Sequence, residues 1–179
     1  MFEIRIHGRG GQGVVSGAEL IAQAAFIDGK ASQAFPSFGV ERTGAPIESF
    51  ARISDEFILT REQIYTPDFI IIQDPSLFLS INPFLGAKKT TKVIINTKKK
   101  ASDYNIPSFL QVYFLDASEI AVKYLGKPLI NTSMLGAFAA VSKLIEKESL
   151  KKAILERWEG EVGEKNVSAM EEAYEKISN

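Results

Sequence analysis

The chain has 179 residues, of which 45% are hydrophobic and 24% charged, a composition typical of a globular protein with one hydrophobic core. Its formal net charge of -1 excludes attraction to nucleic acid or to an anionic membrane through bulk positive charge. It contains no cysteine and a single histidine, which excludes disulfides, cysteine-ligated iron–sulfur clusters and a multi-histidine zinc site within the chain.

The sequence carries no pattern that would direct it to or across a membrane. No apolar run reaches the roughly 18 residues that suggest a membrane span, and the first residues lack the basic and apolar regions of a signal peptide. We therefore expect a cytoplasmic protein. No composition shift or linker divides the sequence, so residues 1–179 are expected to form a single domain.

The first half of the sequence predicts several strands and one helix. Residues 2–7 alternate apolar and polar side chains, which indicates a strand. Residues 14–28 are rich in alanine and aliphatic side chains, which predicts a helix that ends near Gly29. Further strands are expected at 31–35, 47–53 and 69–73, with a short one at 57–59. The run FIIIQ at 69–73 is typical of a strand that is buried on both faces.

The second half predicts two more strands and a helical end. Asp74 is expected to cap a helix after the strand at 69–73. Strands are predicted at 93–96 and 112–115, followed by helices at 131–146, from Ser149 and from Asn166, the last two separated by a loop at 160–166. This alternation predicts an α/β fold with three layers, in which a mostly parallel sheet has helices on both faces.

A glycine-rich loop, GRGGQG, connects the first strand to the first helix. Gly8, Gly10 and Gly13 have the spacing G-x-G-x-x-G in the correct context. Glycines at such a turn let backbone N–H groups approach an anion, and the N-terminus of the helix adds its positive dipole end. The candidate anion-binding residues here are Gly8, Arg9, Gly10, Gly11, Gln12 and Gly13. The alternative is a plain structural turn, because tight strand–helix turns also favour glycine.

The sequence disfavours an ordinary NAD site at this loop. Such a site needs an acidic residue about 20 residues further on, at the end of the second strand, for the ribose hydroxyls. The segment at 31–35, ASQAF, has no acid. Asp28 comes before that strand, and Glu41 comes after it in the next loop.

A second loop, PSFGVERTGAP at residues 36–46, is a further candidate for binding. It combines glycine freedom at Gly39 and Gly44 with an apolar Phe38 and a charged pair, Glu41 and Arg42. Function concentrates in ordered loops on a rigid scaffold, which favours a binding or docking loop. The alternative is an ordered surface loop with an ordinary Arg–Glu contact.

Four segments together resemble one known family. These are, in order, GRGGQGVVSGAELIAQAAF, QAFPSFGVERTGAP, YTPDFIIIQDPSLF and NTSMLGAFAA. They resemble the gamma subunit of 2-oxoacid:ferredoxin oxidoreductases, above all that of the pyruvate enzyme (pyruvate synthase), and the resemblance runs from about Glu3 to Tyr174. The combination of GxGGQG with SFGxERxGAP is specific. One departure is Thr43, where many relatives carry a second arginine.

The resemblance implies a Rossmann-like subunit that is not active alone. The complete enzyme decarboxylates a 2-oxoacid on thiamine diphosphate, passes electrons through [4Fe–4S] clusters to ferredoxin, and transfers the acyl group to coenzyme A. The resemblance places thiamine diphosphate, Mg²⁺ and the clusters on partner alpha, beta and delta subunits, and it associates the gamma chain with coenzyme A. It implies no catalytic and no metal-binding residue on this chain.

Both loops are therefore expected to contribute to coenzyme A binding. Arg9 and Arg42 suit its phosphates, because a guanidinium matches phosphate geometry. The predicted contacts are Gly8, Arg9, Gly10, Gly11, Gln12, Gly13, Ser37, Gly39, Arg42 and Gly44. Two other hypotheses stay open. One is a free-standing Rossmann-type reductase that uses a nucleotide or a flavin, and the other is a scaffold subunit whose glycine loop touches only a partner chain.

Several other residues have a simpler interpretation. His7 ends the first strand, where ligands often bind, but a structural histidine is favoured because no nucleophile or orienting acid is near it in sequence. Lysines at 98–100 are interpreted as a solvated turn. The small residues of NTSMLGAFAA allow close helix approach and indicate packing or subunit contact; they are Gly136, Ala137, Ala139 and Ala140.

Overall fold

A computed structural model of the chain describes residues 1–37, 43–99 and 101–178. This part of the chain contains a six-stranded sheet with the order β2-β3-β1-β4-β5-β6. The strands are β1 (Phe2–Arg9), β2 (Ala31–Pro36), β3 (Pro46–Ser54), β4 (Phe69–Ile72), β5 (Lys92–Asn96) and β6 (Gln111–Leu115). Strands β1, β4, β5 and β6 pair in parallel, whereas β3 runs antiparallel to both β1 and β2.

Five α-helices, in the same described ranges, pack on one face of the sheet. They are α1 (Val14–Ile27), α2 (Ala117–Leu125), α3 (Asn131–Ser142), α4 (Lys147–Arg157) and α5 (Gly160–Ser178). All five contribute buried side chains to one apolar cluster with Ile4, Ile6 and Ile71 of the sheet. None of these helices, over the residues described, has both the length and the apolar character needed to cross a membrane.

The opposite face of the sheet, called the second face below, has a different cover. Ile70, Ile72, Val93 and Ile95 form a smaller apolar cluster there with Phe84. The cover consists of loop segments and of a short 3-10 helix, Pro75–Leu79, which contributes Phe78. A second 3-10 helix spans Ala101–Asp103. The predicted α/β fold with a mostly parallel sheet is confirmed. The α-helices predicted on the second face are not found in the described residues, where a 3-10 helix and loops cover it instead.

The sheet places two loops at a topological switch point. From β1 the chain continues through α1 to β2 and β3 on one side of β1, and later returns to β4 on its other side. In open α/β sheets, ligands bind at the carboxyl ends of the strands where the order reverses in this way. The glycine-rich loop follows β1, and Gln73 and Asp74 follow β4, so both lie at this point.

Two element predictions near the middle of the chain are corrected. Residues 57–59 form no strand: Phe57 and Leu59 are exposed while Ile58 is buried, so the alternation reflects a loop segment that anchors one side chain. Helix α2 was not predicted. It begins after Asp116, whose side chain accepts a hydrogen bond from the N–H of Glu119, and it ends at Gly126.

The predicted boundaries of the last three helices are also wrong. Helix α3 ends at Ser142, four residues earlier than predicted. Helix α4 begins at Lys147, and Ser149 lies in its first turn instead of capping it. The carboxylate of Asp28, at the end of α1, accepts hydrogen bonds from the Glu146 N–H at 2.8 Å and from the Ser149 hydroxyl. Helix α5 is continuous through the predicted loop at 160–166. Asn166 lies inside this helix. Its Nδ2 donates a hydrogen bond to Val162 O, and its Oδ1 accepts one from the hydroxyl of Thr132.

Candidate functional site

The two loops singled out in the sequence lie side by side. Strand β1 runs two residues further than predicted, to Arg9, and Gly10 then forms a bridge with Thr43. The N–H of Gly10 donates to Ala45 O at 2.9 Å, and the N–H of Gly44 donates to Gly10 O at 3.1 Å. The pairing of β1 with β3 causes this contact, because it brings the end of β1 next to the residues that precede β3.

Glycine is required in the loop for its backbone shape. Gly11 and Gly13 have φ values of 95° and 74°, in the left-handed region that favours glycine. Gly13 is the N-cap of α1; among the described residues no side chain caps this helix, and its first turn has no acidic residue. The positive end of the α1 dipole therefore lies at this loop, as in an anion-binding loop.

Arg9 connects both loops to the segment after β4. Its Nε donates to Asp74 Oδ2 at 2.9 Å, its Nη1 to Gly44 O at 2.9 Å and its Nη2 to Ser76 Oγ at 2.7 Å. Gln12 completes the arrangement: its Oε1 accepts from the N–H of Arg9 at 2.8 Å, and its Nε2 donates to Asp74 at 3.3 Å. The guanidinium thus organises the loop, and its contact with a phosphate stays a prediction.

Asp74 remains charged beside Arg9. Burial raises the pKa of its carboxyl, but hydrogen bonds from Ser76 and the charge and hydrogen bond of Arg9 outweigh burial and hold the pKa below its usual range. Asp74 also caps the 3-10 helix at Pro75–Leu79 through the N–H of Ser76, as the sequence predicted. The Asp74 carboxylate therefore has two structural contacts, one with Arg9 and one with the N–H of Ser76.

His7 lies in the buried layer of the second face. It is 1% exposed; its Nε2 accepts from Arg5 Nε at 3.1 Å, and its Nδ1 lies 3.3 Å from Glu48 Oε1. Burial, followed by the charge of Arg5, lowers the pKa of His7 to about 3, so the imidazole is neutral. This environment agrees with the structural role favoured from the sequence.

The remaining predicted contacts divide between described and undescribed residues. Ser37 lies at the start of the second loop, where its N–H donates to Glu48 O and its hydroxyl accepts from Gln63 Nε2 at 3.2 Å. Gly44 has a φ of 80° and contacts Gly10 and Arg9. Gly39 and Arg42 lie outside the described residues.

The structure adds two buried amides that sequence reasoning missed. Gln73 follows β4, and its Oε1, which has no hydrogen-bond partner among the described residues, lies 3.0 Å from where a Cβ on Gly8 would be. Asn131 begins α3, and its Nδ2 lies 3.1 Å from where a Cβ on Gly13 would be. The only signal for Asn131 was its place in NTSMLGAFAA, which was interpreted as packing or subunit contact.

The described residues contain no group of three or more His, Asp or Glu side chains that would hold a metal ion.

The model of the family described as pyruvate ferredoxin/flavodoxin oxidoreductase matches residues 3–176. The chain belongs to this family. The gamma-subunit assignment that the sequence motifs suggested is confirmed by its relatives as well.

The chain is 51% identical to pyruvate synthase subunit PorC of Methanocaldococcus jannaschii, over 99% of this chain and 97% of the relative. Its structure is similar to that of the pyruvate oxidoreductase subunit PORC from Thermotoga maritima, with a TM-score of 0.85, 34% identity, and coverage of 97% and 95% of the two chains. The chain also shares its fold with part of the 2-oxoglutarate:ferredoxin oxidoreductase of Magnetococcus marinus, with a TM-score of 0.83 and 21% identity. The similarity covers 99% of this chain and 31% of the other. That protein was solved with 2-oxoglutarate, coenzyme A and succinyl-CoA bound.

Proposed function

We propose that this chain is the gamma subunit of a pyruvate:ferredoxin oxidoreductase, in which it contributes to coenzyme A binding and to assembly. The observation that carries the proposal is the identity of 51%, over nearly the whole length of both chains, to a pyruvate synthase subunit. The reaction is the oxidative decarboxylation of pyruvate to acetyl-CoA with reduction of ferredoxin. The chain acts as one domain in a cytoplasmic complex.

The local geometry fits the phosphates of coenzyme A. Its pyrophosphate and 3′-phosphate need N–H donors and positive potential, which the loop of Gly10–Gly13 and the uncapped start of α1 provide. Gly11 has open space around it: apart from its chain neighbours, no atom of the described residues lies within 4 Å of where its Cβ would be. Gly11 is exposed, so the backbone there is accessible to a ligand, and Arg9 and Ser37 add polar groups at the same two loops. Arg42, which belongs to the sequence of the second loop, is proposed to contribute as well.

Thiamine diphosphate, Mg²⁺ and the [4Fe–4S] clusters belong to the alpha, beta and delta partner subunits in this proposal. The absence of cysteine from the sequence fits such a division, since the clusters require cysteine thiolates. When bound, coenzyme A supplies the thiol that accepts the acyl group. The part of this chain is to bind and orient its phosphate end.

The first test is an anaerobic affinity purification of the chain from its native host. Chains that copurify are identified by mass, and pyruvate-dependent reduction of a viologen dye is measured with and without coenzyme A. We expect partners that carry clusters and thiamine diphosphate, and reduction that depends on coenzyme A. A chain that purifies alone and is inactive with every 2-oxoacid would contradict the proposal.

A second test locates the coenzyme A contact. Gly11→Asp places a carboxylate in the open space at the loop and should weaken coenzyme A binding to the assembled complex by at least about tenfold, which corresponds to 1.4 kcal/mol. Gly11 has a positive φ, so Gly11→Asn is the matched control for backbone strain without charge. Equal affinity in all three proteins would favour the scaffold hypothesis, in which the loop contacts only a partner chain.

A further inference from the structure

The N-termini of two α-helices meet at the glycine-rich loop. Gly13 is the N-cap of α1, and a Cβ on Gly13 would lie 3.1 Å from Nδ2 and 3.3 Å from Cγ of Asn131, the first residue of α3. Among the described residues, no side chain caps either helix, and neither has an acidic residue in its first turn. Helices of 14 and 12 residues therefore direct their positive ends toward the same place.

Asn131 is a buried residue, and the oxygen of its side-chain amide has no hydrogen-bond partner among the described residues. The residue is 9% exposed, its Oδ1 is enclosed without a hydrogen bond, and none of the described residues bonds its Nδ2. Oδ1 lies 2.8 Å from where a Cβ on Gly17 would be, one turn into α1. The amide therefore lies along the first turn of α1, with its nitrogen at the end toward Gly13 and the loop.

A packing role alone does not explain an amide at this place. The enclosed Oδ1 lacks a hydrogen bond, which destabilises the folded protein, and an alanine at this position would not bring that polar atom into the interior. The nitrogen end carries two N–H donors, and it faces the loop at which two helix dipoles are positive. A donor in such a place suits an anionic ligand.

We propose that Asn131 donates a hydrogen bond to a phosphate group bound at the glycine-rich loop, so that α3 forms a second wall of that site. This inference rests on the proposed function, because it takes the ligand to be coenzyme A. It adds a binding residue that lies far from both loops in the sequence, and it gives the start of NTSMLGAFAA a role beyond packing.

The test compares Asn131→Asp and Asn131→Ala in the assembled complex. Asp has the same shape but places a negative charge toward the phosphate, while Ala only removes the donor. An acidic residue in the first turn of a helix is favourable for the helix itself, so Asp is compatible with the fold. Asn105→Asp, at an exposed loop residue, is the matched control for the change in charge.

Binding is measured by calorimetry with coenzyme A and with pantetheine, which has no phosphate. We expect Asn131→Ala to weaken coenzyme A binding by about tenfold, the value of one hydrogen bond to a charged group, and Asn131→Asp to weaken it further. Pantetheine affinity should stay unchanged in both variants. The loss in Asn131→Asp should diminish as the pH falls and the carboxyl becomes a protonated donor.

Three outcomes would overturn the inference. Unchanged coenzyme A affinity in both variants, with a loss in Gly11→Asp, would reject the role of Asn131 and leave the proposed function standing. Equal losses for coenzyme A and pantetheine would indicate a packing role. If the wild-type complex does not bind coenzyme A at all, the proposed function and the inference both fail. Should Asn131→Asp not assemble, Asn131→Ala with the two ligands decides.

Discussion

Arg9 is the residue with contacts to three segments around the site, and its substitution measures how much these contacts stabilise the fold. Arg9→Ala removes the bonds to Asp74, Ser76 and Gly44 and leaves the Asp74 carboxylate without its counter-charge. Because the pair is partly exposed, we expect a loss of about 1–2 kcal/mol in the free energy of unfolding, measured with urea.

Arg157→Ala is the matched control for Arg9→Ala. Arg157 also bonds a carboxylate and a serine hydroxyl, those of Glu19 and Ser16, but on the exposed surface of α1 and α4. Its loss should stay within about 0.5 kcal/mol. If the two variants lose the same stability, Arg9 is an ordinary surface arginine and does not organise the loops.

His7 gives a prediction for the dependence of stability on pH. Its pKa falls from 6.5 to about 3 on folding, so the unfolded chain binds a proton that the folded chain does not. Stability is therefore retained above pH 6.5 and is lost as the pH falls below it, by about 1.4 kcal/mol per pH unit. Between pH 7.5 and pH 5, the free energy of unfolding should therefore fall by about 2 kcal/mol more in the wild type than in His7→Gln.

The sequence has no other histidine, so few other groups titrate between pH 7.5 and 5. Glutamine keeps an acceptor for Arg5 Nε and is uncharged throughout. Urea unfolding of both proteins at the two pH values gives the comparison. Parallel loss of stability in the two proteins would mean that His7 is protonated in the folded state, against the burial described above.

The contact between helices α3 and α5 was predicted only in part from the sequence. Gly136 was interpreted as a small residue for close helix approach, and the structure places it against the backbone of α5. The partner was not predictable, because α5 was expected to begin only at Asn166. Asn166 is polar and follows two glycines, which is typical of a cap, but tertiary contacts with Thr132 hold it inside a longer helix.

Gly136→Ala tests this contact. A Cβ there would lie 2.1 Å from Met170 O, which belongs to the backbone and cannot rotate away. At an exposed helical position the same change stabilises by up to about 1 kcal/mol, because alanine favours the helix. Here we expect destabilisation by about 1–3 kcal/mol through overpacking, measured by urea unfolding. A gain in stability would mean that the two helices separate easily.

Ser168→Ala, at a partly exposed position of α5, is the control and should change stability little.

Across the whole molecule, local patterns predicted more than distant contacts did. The strands of the sheet and the glycine-rich loop followed from periodicity and spacing, which depend on neighbours in sequence. The contact between Gly10 and Ala45 depends on which strand pairs with β1, and the approach of Asn131 to Gly13 depends on how α3 packs against α1. Such contacts between distant segments leave no periodic signal in a single sequence.

The second face of the sheet carries large apolar side chains that face solvent in the single chain. Phe57, Leu59 and Tyr65 lie on one covering segment, and Leu85 lies on another, at the point where Gly86 touches Tyr65 O. Exposed apolar side chains in a group mark protein interaction sites. If the proposed function is correct, this surface contacts a partner subunit of the oxidoreductase, which would remove these side chains from water.

Leu85→Asp tests this expectation, because a charge in the centre of an apolar interface is costly to bury. We expect the partner subunits that copurify with the chain to fall by about tenfold or more, the effect of losing 1.4 kcal/mol or more of binding free energy. Phe26→Asp is the control, since Phe26 is as exposed as Leu85 but lies on α1, on the face covered by helices. Unfolding of each purified chain shows whether the fold is intact. Equal recovery of partners with Leu85→Asp and wild type would place the interface elsewhere, and a selective loss with Phe26→Asp would move it to the helical face.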